Sequence, residues 1–300
     1  MSWFITGGTG SFGTHYVRRL IDRGELVTVY SRDELKQYEM AKELPMVNYV
    51  IGDIRDLDRL KSAMKGHSYV IHAAALKHVR TGERHPTEAV QTNVEGTLNV
   101  AIAAKDVRVI SALLLSSDKA VMPVNTYGAT KYLAEKIWLG QGSGNTSFTV
   151  TRYGNVIGSR GSVLHVFGKQ KHGGRFTITD KRMTRFAVSF DYAMGLVDQA
   201  VHYDSGVILA AKVPSFRIVD LAHAFDADAE IEETGIQAGE KLHEMMLTEY
   251  ERSRARLTDG FYVVPRDRDG SIPHISEPYT SADGPHMTVE QIKEMIHEAI

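Results

Sequence analysis

Five side chains within residues 114–131 have the types and spacing of a combined redox and acid–base set: Ser117, Asp118, Lys119, Tyr127 and Lys131. Tyr127 and Lys131 stand four apart at the start of an expected helix, so both face one way. A phenol titrates near ~10 and is a poor base at neutral pH. A nearby ammonium stabilises the phenolate and lowers that value. Such a pair takes a proton from a sugar or alcohol hydroxyl while hydride leaves for a nicotinamide, and Lys131 would also hold the nicotinamide ribose. Ser117 is placed to bond the same hydroxyl. Asp118 and Lys119 have no task in plain alcohol oxidation, but dehydration needs both. Once C4 is a ketone the C5 proton is acidic; Lys119 as base removes it, Asp118 as acid protonates the departing C6 hydroxyl, and hydride returns to C6. Each pKa must then be tuned toward neutrality. The other reading of Asp118-Lys119 is an exposed loop ion pair of little energetic weight.

The elements that position this stretch alternate. Strands are expected at 2–6, 26–30, 47–51, 69–72, 109–116 and 148–153, with helices at 13–24, 33–44, 56–64, 86–105 and 127–139 between them. This β-α-β-α rhythm implies a Rossmann-type, doubly wound parallel sheet with helices on both faces, and ligands beyond the carboxyl ends of the strands. After residue 154 the rhythm changes to loops and short elements, with a strand at 206–211 that rejoins the sheet and a capped helix at 288–300. The division predicted is an α/β dinucleotide-binding domain of residues 1–154 plus 187–214, and a smaller α/β substrate lobe of residues 155–186 plus 215–300, built from non-contiguous segments.

The first βα turn carries Gly7, Gly10 and Gly13 at three-residue intervals, with Thr9, Ser11 and Phe12 between them. Small residues let the backbone approach a pyrophosphate, and the helix N-terminus supplies amides and partial positive charge. At the end of the second strand, where an acid would select NAD, the chain has Ser31, Arg32 and Lys36. These suit a 2′-phosphate, so NADP is predicted over NAD. Arg32 and Lys36 as a solvated helix start, with Asp33 as its cap, is the alternative. Asp53, followed by Ile54, is placed either to meet the adenine amino group or to cap the next turn. Ala73 and Ala74 follow the fourth strand and complete the expected cofactor-binding residues.

Bulk properties narrow the class. Three hundred residues, 43% of them hydrophobic, suffice for a large core, and a net charge of -2 offers no global field for nucleic acid or an anionic membrane. With no cysteine, thiolate catalysis, disulfides and Cys-ligated zinc are excluded, which fits a reducing cytoplasm. The opening residues read as a strand, not a signal peptide, and the apolar runs are too short to span a bilayer. Thirteen histidines show no zinc-protease spacing, and no metal is expected.

The spacing of the glycine turn is similar to that of the extended short-chain dehydrogenase/reductase superfamily. Beyond it, SSDKAVMPVNTYGATK (116–131) resembles the signature of inverting, C5-epimerising UDP-N-acetylglucosamine 4,6-dehydratases. So do ITGGTGSFG (5–13), SRDELKQYEM (31–40), HAAALKHV (72–79), TNVEGTLNV (92–100), TRYGNVIGSRGSV (151–163), ITDKRMTRF (178–186), KVPSFRIVDLA (212–222) and GEKLHEMM (239–246). The resemblance implies a cytoplasmic lyase that uses NADP, acts on UDP-N-acetylglucosamine and forms a homo-oligomer, a dimer or a hexameric ring. It also implies that Lys77 contacts substrate or nicotinamide and Asn155 the sugar or diphosphate. Arg160, Ser162 and Val163 would line the UDP pocket; Met183, Thr184 and Arg185 would close over the nucleotide sugar; Glu240 would reach the uridine ribose. Retaining 4,6-dehydratases carry Asp-Glu in place of Asp118-Lys119, and large membrane-anchored relatives carry Met in place of Tyr127, so the chain resembles the short soluble type. It departs from the pattern at His165, where Pro is usual, and at Gln237 and Ala238, where Arg and Pro are usual. Rival readings are a UDP-hexose 4-epimerase, which needs Tyr127 and Lys131 but neither Asp118 nor Lys119, and a catalytically silent NADP-binding sensor.

Overall fold

The computed structural model describes residues 1–142, 144–266, 277–283 and 286–299. Its first half follows the expected alternation: β1 (Ser2–Thr6), β2 (Leu26–Ser31), β3 (Asn48–Ile51), β4 (Tyr69–His72), β5 (Ser111–Ser117) and β6 (Ser147–Tyr153), all mutually parallel. The second half holds β7 (Asn155–Val156), β8 (Arg175–Ile178), β9 (Thr184–Val188), β10 (Val207–Ala211), β11 (Ser215–Arg217), β12 (Glu230–Glu233), β13 (Met245–Leu247), β14 (Arg256–Leu257), β15 (Phe261–Pro265) and β16 (Tyr279–Thr280). Nine strands make one sheet in the order β14-β15-β10-β6-β5-β4-β1-β2-β3. The chain reverses direction of travel between β1 and β4, the switch point where such sheets open a ligand crevice.

Burial explains the sheet's centre. Phe4, Ile5, Val70, Ile71 and Leu113 to Leu114 are fully enclosed, because helices cover both faces of a parallel sheet. The helix expected over 86–105 is helical from Pro86 to Asp106 but passes through a π turn at Gln91–Glu95. There Asn93 turns inward, bonding both the N–H and the carbonyl of Leu76 and the Thr130 hydroxyl. It thereby ties the loop after β4 to the helix Thr126–Gly140, which carries Tyr127 and Lys131.

The predicted domain division needs one change. β10 joins β6 in parallel as expected, but β15 adds antiparallel to β10 and β14 to β15. Residues 256–265, assigned by sequence to the second lobe, therefore complete the main sheet. An antiparallel edge pair is joined by a short hairpin and leaves no βαβ rhythm to read. A second, smaller core is built by Leu164, Phe167, Phe176, Met183, Phe216, Leu221 and Ile292. The final helix, Val289–Ala299, is capped as predicted: Thr288 Oγ1 accepts the Gln291 N–H and Gln291 Oε1 accepts the Thr288 N–H. No helix of the described residues is long and apolar enough to cross a membrane.

Candidate active site

β5 runs out of the core directly into a single 3₁₀ turn, Asp118–Ala120, capped by Ser117, whose Oγ accepts the Lys119 N–H at 3.2 Å. The next helix begins at Thr126 because Asn125 Oδ1 accepts the Gly128 N–H at 2.7 Å. Its first turn lies on the 3₁₀ turn so closely that a Cβ on Gly128 would stand 2.2 Å from the Lys119 carbonyl oxygen. That contact brings Ser117, Asp118, Lys119 and Tyr127 together as the sequence predicted.

Asp118 is wholly buried, which rules out the exposed loop pair. Its Oδ1 accepts from Ser117 Oγ at 2.9 Å and from Lys119 Nζ at 3.1 Å, while Oδ2 has no hydrogen-bond partner among the described residues. Burial raises its pKa, with Lys119 and Ser117 pulling the other way and Glu244 adding to the rise. Lys119 behaves otherwise than expected. Burial favours the neutral amine, but Asp118 and Glu244 outweigh it and raise the pKa, so the ammonium is the resting form. Burial also raises Tyr127, against the pull of Lys119 and Ser117. Lys131 turns inward to donate to the Leu115 carbonyl at 2.5 Å, and burial lowers its pKa to about 8 although Glu135 opposes. The cation that favours the Tyr127 phenolate is thus Lys119, where the sequence suggested Lys131.

One cleft of about 810 Å³ runs from the glycine turn past Lys77, Ser117, Lys119, Tyr127 and Lys131 to residues 159–164. The glycine turn is built for a close approach. Gly7 has φ 68°, and a Cβ there would meet Ala74 N at 2.7 Å; one on Gly13 would meet Gly8 Cα at 2.6 Å. Gly10 begins the helix Ser11–Asp22 without a side-chain cap, leaving first-turn amides for a ligand. Ser31, Arg32, Lys36, Ile54, Ala73 and Ala74 line the same cleft, together with Thr9, Ser11 and Phe12. Asp53 takes the turn-capping role: its Oδ1 accepts the Arg55 N–H at 2.9 Å, and its Oδ2 is held by Arg55 at 2.7 Å and Arg32 at 3.3 Å. These donors fit a dinucleotide: a backbone cradle at one end, basic groups at the adenosine end, and Tyr127 with Lys131 at the other.

On the opposite wall the predicted residues divide. Asn155 Oδ1 is 3.4 Å from Lys119 Nζ, and Asn155, Ser162 and Val163 line the cleft. Arg160 reaches further than expected. Its guanidinium donates to the Thr9 carbonyl and its N–H to Ser11 Oγ, so it lies over the glycine turn; Lys77 Nζ bonds its carbonyl at 2.9 Å. Met183 and Thr184 are structural, 2% and 3% exposed. Met183 fills the second core, and Thr184 bonds His243 and Ser281 at 2.8 and 2.7 Å. Alternation along β9 turns Arg185, the residue after Thr184, to the other side to face the catalytic turn, 3.9 Å from Glu244. Glu240 accepts the Gln237 N–H and closes its own turn, with Gln237 in turn bonded by Arg80.

A model of the polysaccharide biosynthesis protein family matches residues 3–266. The chain belongs to that family. It is 42% identical over 291 residues to a Campylobacter jejuni protein named UDP-N-acetylglucosamine 4,6-dehydratase (inverting), covering 91% of this chain and 87% of that one. It is also 39% identical over 320 residues to a Rickettsia rickettsii protein named UDP-glucose 4-epimerase, covering 97% and 94%. Among solved structures, Pen from Bacillus thuringiensis superposes with a TM-score of 0.93 at 34% identity, over 99% of this chain and 97% of that one. The resemblance read from the motifs is borne out over most of the chain, and with it the expectation of a Rossmann-type enzyme, a lyase of the short-chain dehydrogenase/reductase superfamily.

Two groups at this family member's site escaped the sequence reading. Glu244 touches Lys119 from the far end of the chain, 3.3 Å away; it lay inside the GEKLHEMM motif, but nothing local marks it as facing inward. Arg152 is buried beneath the catalytic helix and bridges Glu135 at 2.7 Å and Glu251 at 3.0 Å. Glu135 also takes a bond from Ser116, so this network fixes the helix one turn past Lys131 against β5 and β6.

Proposed function

We propose that this protein is an NADP-dependent 4,6-dehydratase that inverts C5 of UDP-N-acetylglucosamine. The observation that carries the reading is Asp118, fully buried and in contact with the ammonium of Lys119, which lines a dinucleotide-type cleft. A simple oxidation has no use for an acid and an amine held together there. The name borne by the Campylobacter relative points to the same substrate and reaction.

Tyr127, as the phenolate that Lys119 and Ser117 favour, receives the proton of the C4 hydroxyl. Bound in the glycine cradle, a nicotinamide dinucleotide supplies the hydride acceptor for C4 and the hydride donor for C6. Lys119, once its resting ammonium has lost a proton, removes the C5 proton as the free amine, and the Asp118 carboxyl, whose pKa burial raises, gives its proton to the C6 oxygen as water leaves. Return of a proton to C5 on the opposite face gives UDP-2-acetamido-2,6-dideoxy-L-arabino-hex-4-ulose. Ser31, Arg32 and Lys36 at the adenosine end support NADP over NAD. Arg160 and the amides of the 159–163 turn supply donors suited to a diphosphate.

Turnover of the substrate in D2O, followed by NMR of the product, tests the proposal. Solvent deuterium at an inverted C5 and a 6-deoxy ketone are expected; an unchanged C5 or no ketone overturns it. The Rickettsia relative's name favours 4-epimerisation as the second reading. Lys119→Ala separates the two, since an epimerase keeps its turnover and a dehydratase loses about 10²-fold or more.

A further inference from the structure

Glu244 is a carboxylate at the catalytic turn for which the mechanism above has no task. Its backbone is pinned from both sides by Ser281: its N–H donates to Ser281 Oγ at 2.9 Å, and its carbonyl accepts the Ser281 N–H at 2.8 Å. Thr184 holds the Ser281 hydroxyl in turn. The Glu244 side chain, 5% exposed, is thereby aimed at Lys119, with Oε1 3.3 Å from Nζ. Arg185 Nε stands 3.9 Å from Oε1 and Lys241 Nζ 3.9 Å from Oε2. Oε2 has no hydrogen-bond partner among the described residues.

Lys119 therefore touches two carboxylates, Asp118 at 3.1 Å and Glu244 at 3.3 Å. Two carboxylates sharing one ammonium do not ionise alike, because like charges at this range drive their proton affinities apart. Arg185 and Lys241 add their charges on the Glu244 side, whereas Asp118 is wholly enclosed.

We propose that Glu244 is a positioning residue for the elimination step: it is the counter-ion of Lys119 in place of Asp118, so that Asp118 keeps the proton destined for the C6 hydroxyl. The inference rests on the dehydratase reading. Burial raises Asp118 and Glu244 raises it further against the pull of Lys119, while Lys119, Arg185 and Lys241 hold Glu244 low in spite of its burial. The other groups facing the set are Ser117 below it, Asn155 from β7 and Tyr127 from the catalytic helix.

The protons balance. Lys119 gives up its proton to solvent through the cleft it lines and, as the free amine, takes the proton from C5, while Glu244 stays a carboxylate and holds the ammonium so formed. The C5–H electron pair forms the C5=C6 bond as C6–O breaks. The Asp118 proton goes to the departing oxygen, and water leaves.

The test begins with infrared spectra of the protein as purified, without substrate. At neutral pH a protonated-carboxyl C=O band is expected that disappears in Asp118→Asn. In Glu244→Gln, Asp118 becomes the only counter-ion of Lys119 and ionises, so the band is lost at neutral pH and returns on acidification. With substrate, Glu244→Gln should lose about tenfold or more in kcat with KM kept. The alkaline limb of its pH–rate profile should move to lower pH, because removing a nearby negative charge lowers the Asp118 pKa. Reduced nicotinamide should accumulate, since C4 oxidation outruns elimination. A band that survives in Asp118→Asn, or a Glu244→Gln enzyme whose band and pH profile stay unmoved, overturns the proposal. Should Glu244→Gln fail to fold, Glu244→Asp, whose shorter carboxylate withdraws from Lys119, should weaken the band and move the alkaline limb in the same direction, and an unmoved band and profile there overturn the proposal. A correct spectrum with no dehydration of substrate instead removes the functional reading and leaves the charge assignment standing.

Discussion

Replacing Gly128 by Ala sets helix propensity against sterics. Gly128 is the third residue of the catalytic helix, and propensity alone predicts a gain of up to about 1 kcal/mol from Ala there. The structure predicts the reverse. The new Cβ would lie 2.2 Å from the Lys119 carbonyl oxygen and 3.2 Å from its carbon, both backbone atoms. An ordinary contact needs about 1 Å more, and neither partner is a flexible side-chain end. Relief must come from moving the first turn of the helix off the 3₁₀ turn, at about 1–3 kcal/mol. Tyr127 precedes Gly128, so the same movement carries its hydroxyl away from Ser117 and Lys119. A displacement of that size costs on the order of 10²-fold in rate. Thermal unfolding and kcat of the variant should therefore fall together. A Gly128→Ala protein with a raised melting temperature and undiminished kcat would refute the argument that this contact sets the site's geometry.

Arg32→Ala should abolish preference for NADP while leaving NAD binding nearly unchanged; equal loss of both in a titration would show Arg32 to be a structural partner of Asp53. Lys131→Met should raise stability at neutral pH while ending turnover. Burial holds the Lys131 pKa at about 8, below the 10.5 usual for lysine. The unfolded chain therefore binds the extra proton, and parent stability rises with pH between those values. About 3 kcal/mol of charge burial is relieved, less about 1 for the lost bond to Leu115. Urea unfolding across that pH window measures it, and the variant should lack the rise. Arg152→Met leaves Glu135 and Glu251 buried without their cation and should cost about 3–5 kcal/mol; a loss below about 1 kcal/mol would mean the network relaxes or takes in water.

The parts of this protein legible in its sequence are those whose cause is local. The glycine turn, the six parallel strands with the helices between them and the cap at Thr288 each follow from neighbours a few residues apart. The same holds for the Tyr127–Lys131 spacing, since backbone sterics, helical period and capping act over that range. The motif resemblance likewise reached the family correctly. Misreadings arose where a side chain's partner lies far along the chain. Met183 and Thr184 looked like substrate contacts until β9 turned them into the second core and toward Ser281. The turn after β7 also lays Arg160, expected at the UDP pocket, over Thr9 on the glycine-turn side of the same cleft. Residues 256–265 carried no βαβ signal and still closed the main sheet.

The chemistry divides in the same way. Residue types alone determined that Ser117, Asp118, Lys119, Tyr127 and Lys131 could oxidise, deprotonate and protonate a sugar. Their proton affinities were not in the sequence. Those depend on burial and on charges brought within about 4 Å by packing. Only the tertiary structure put Glu244, Arg185 and Lys241 around Lys119, sealed Asp118 from water and turned Lys131 toward β5. The charge state on which the proposed elimination depends is therefore a property of the folded chain and of no segment within it.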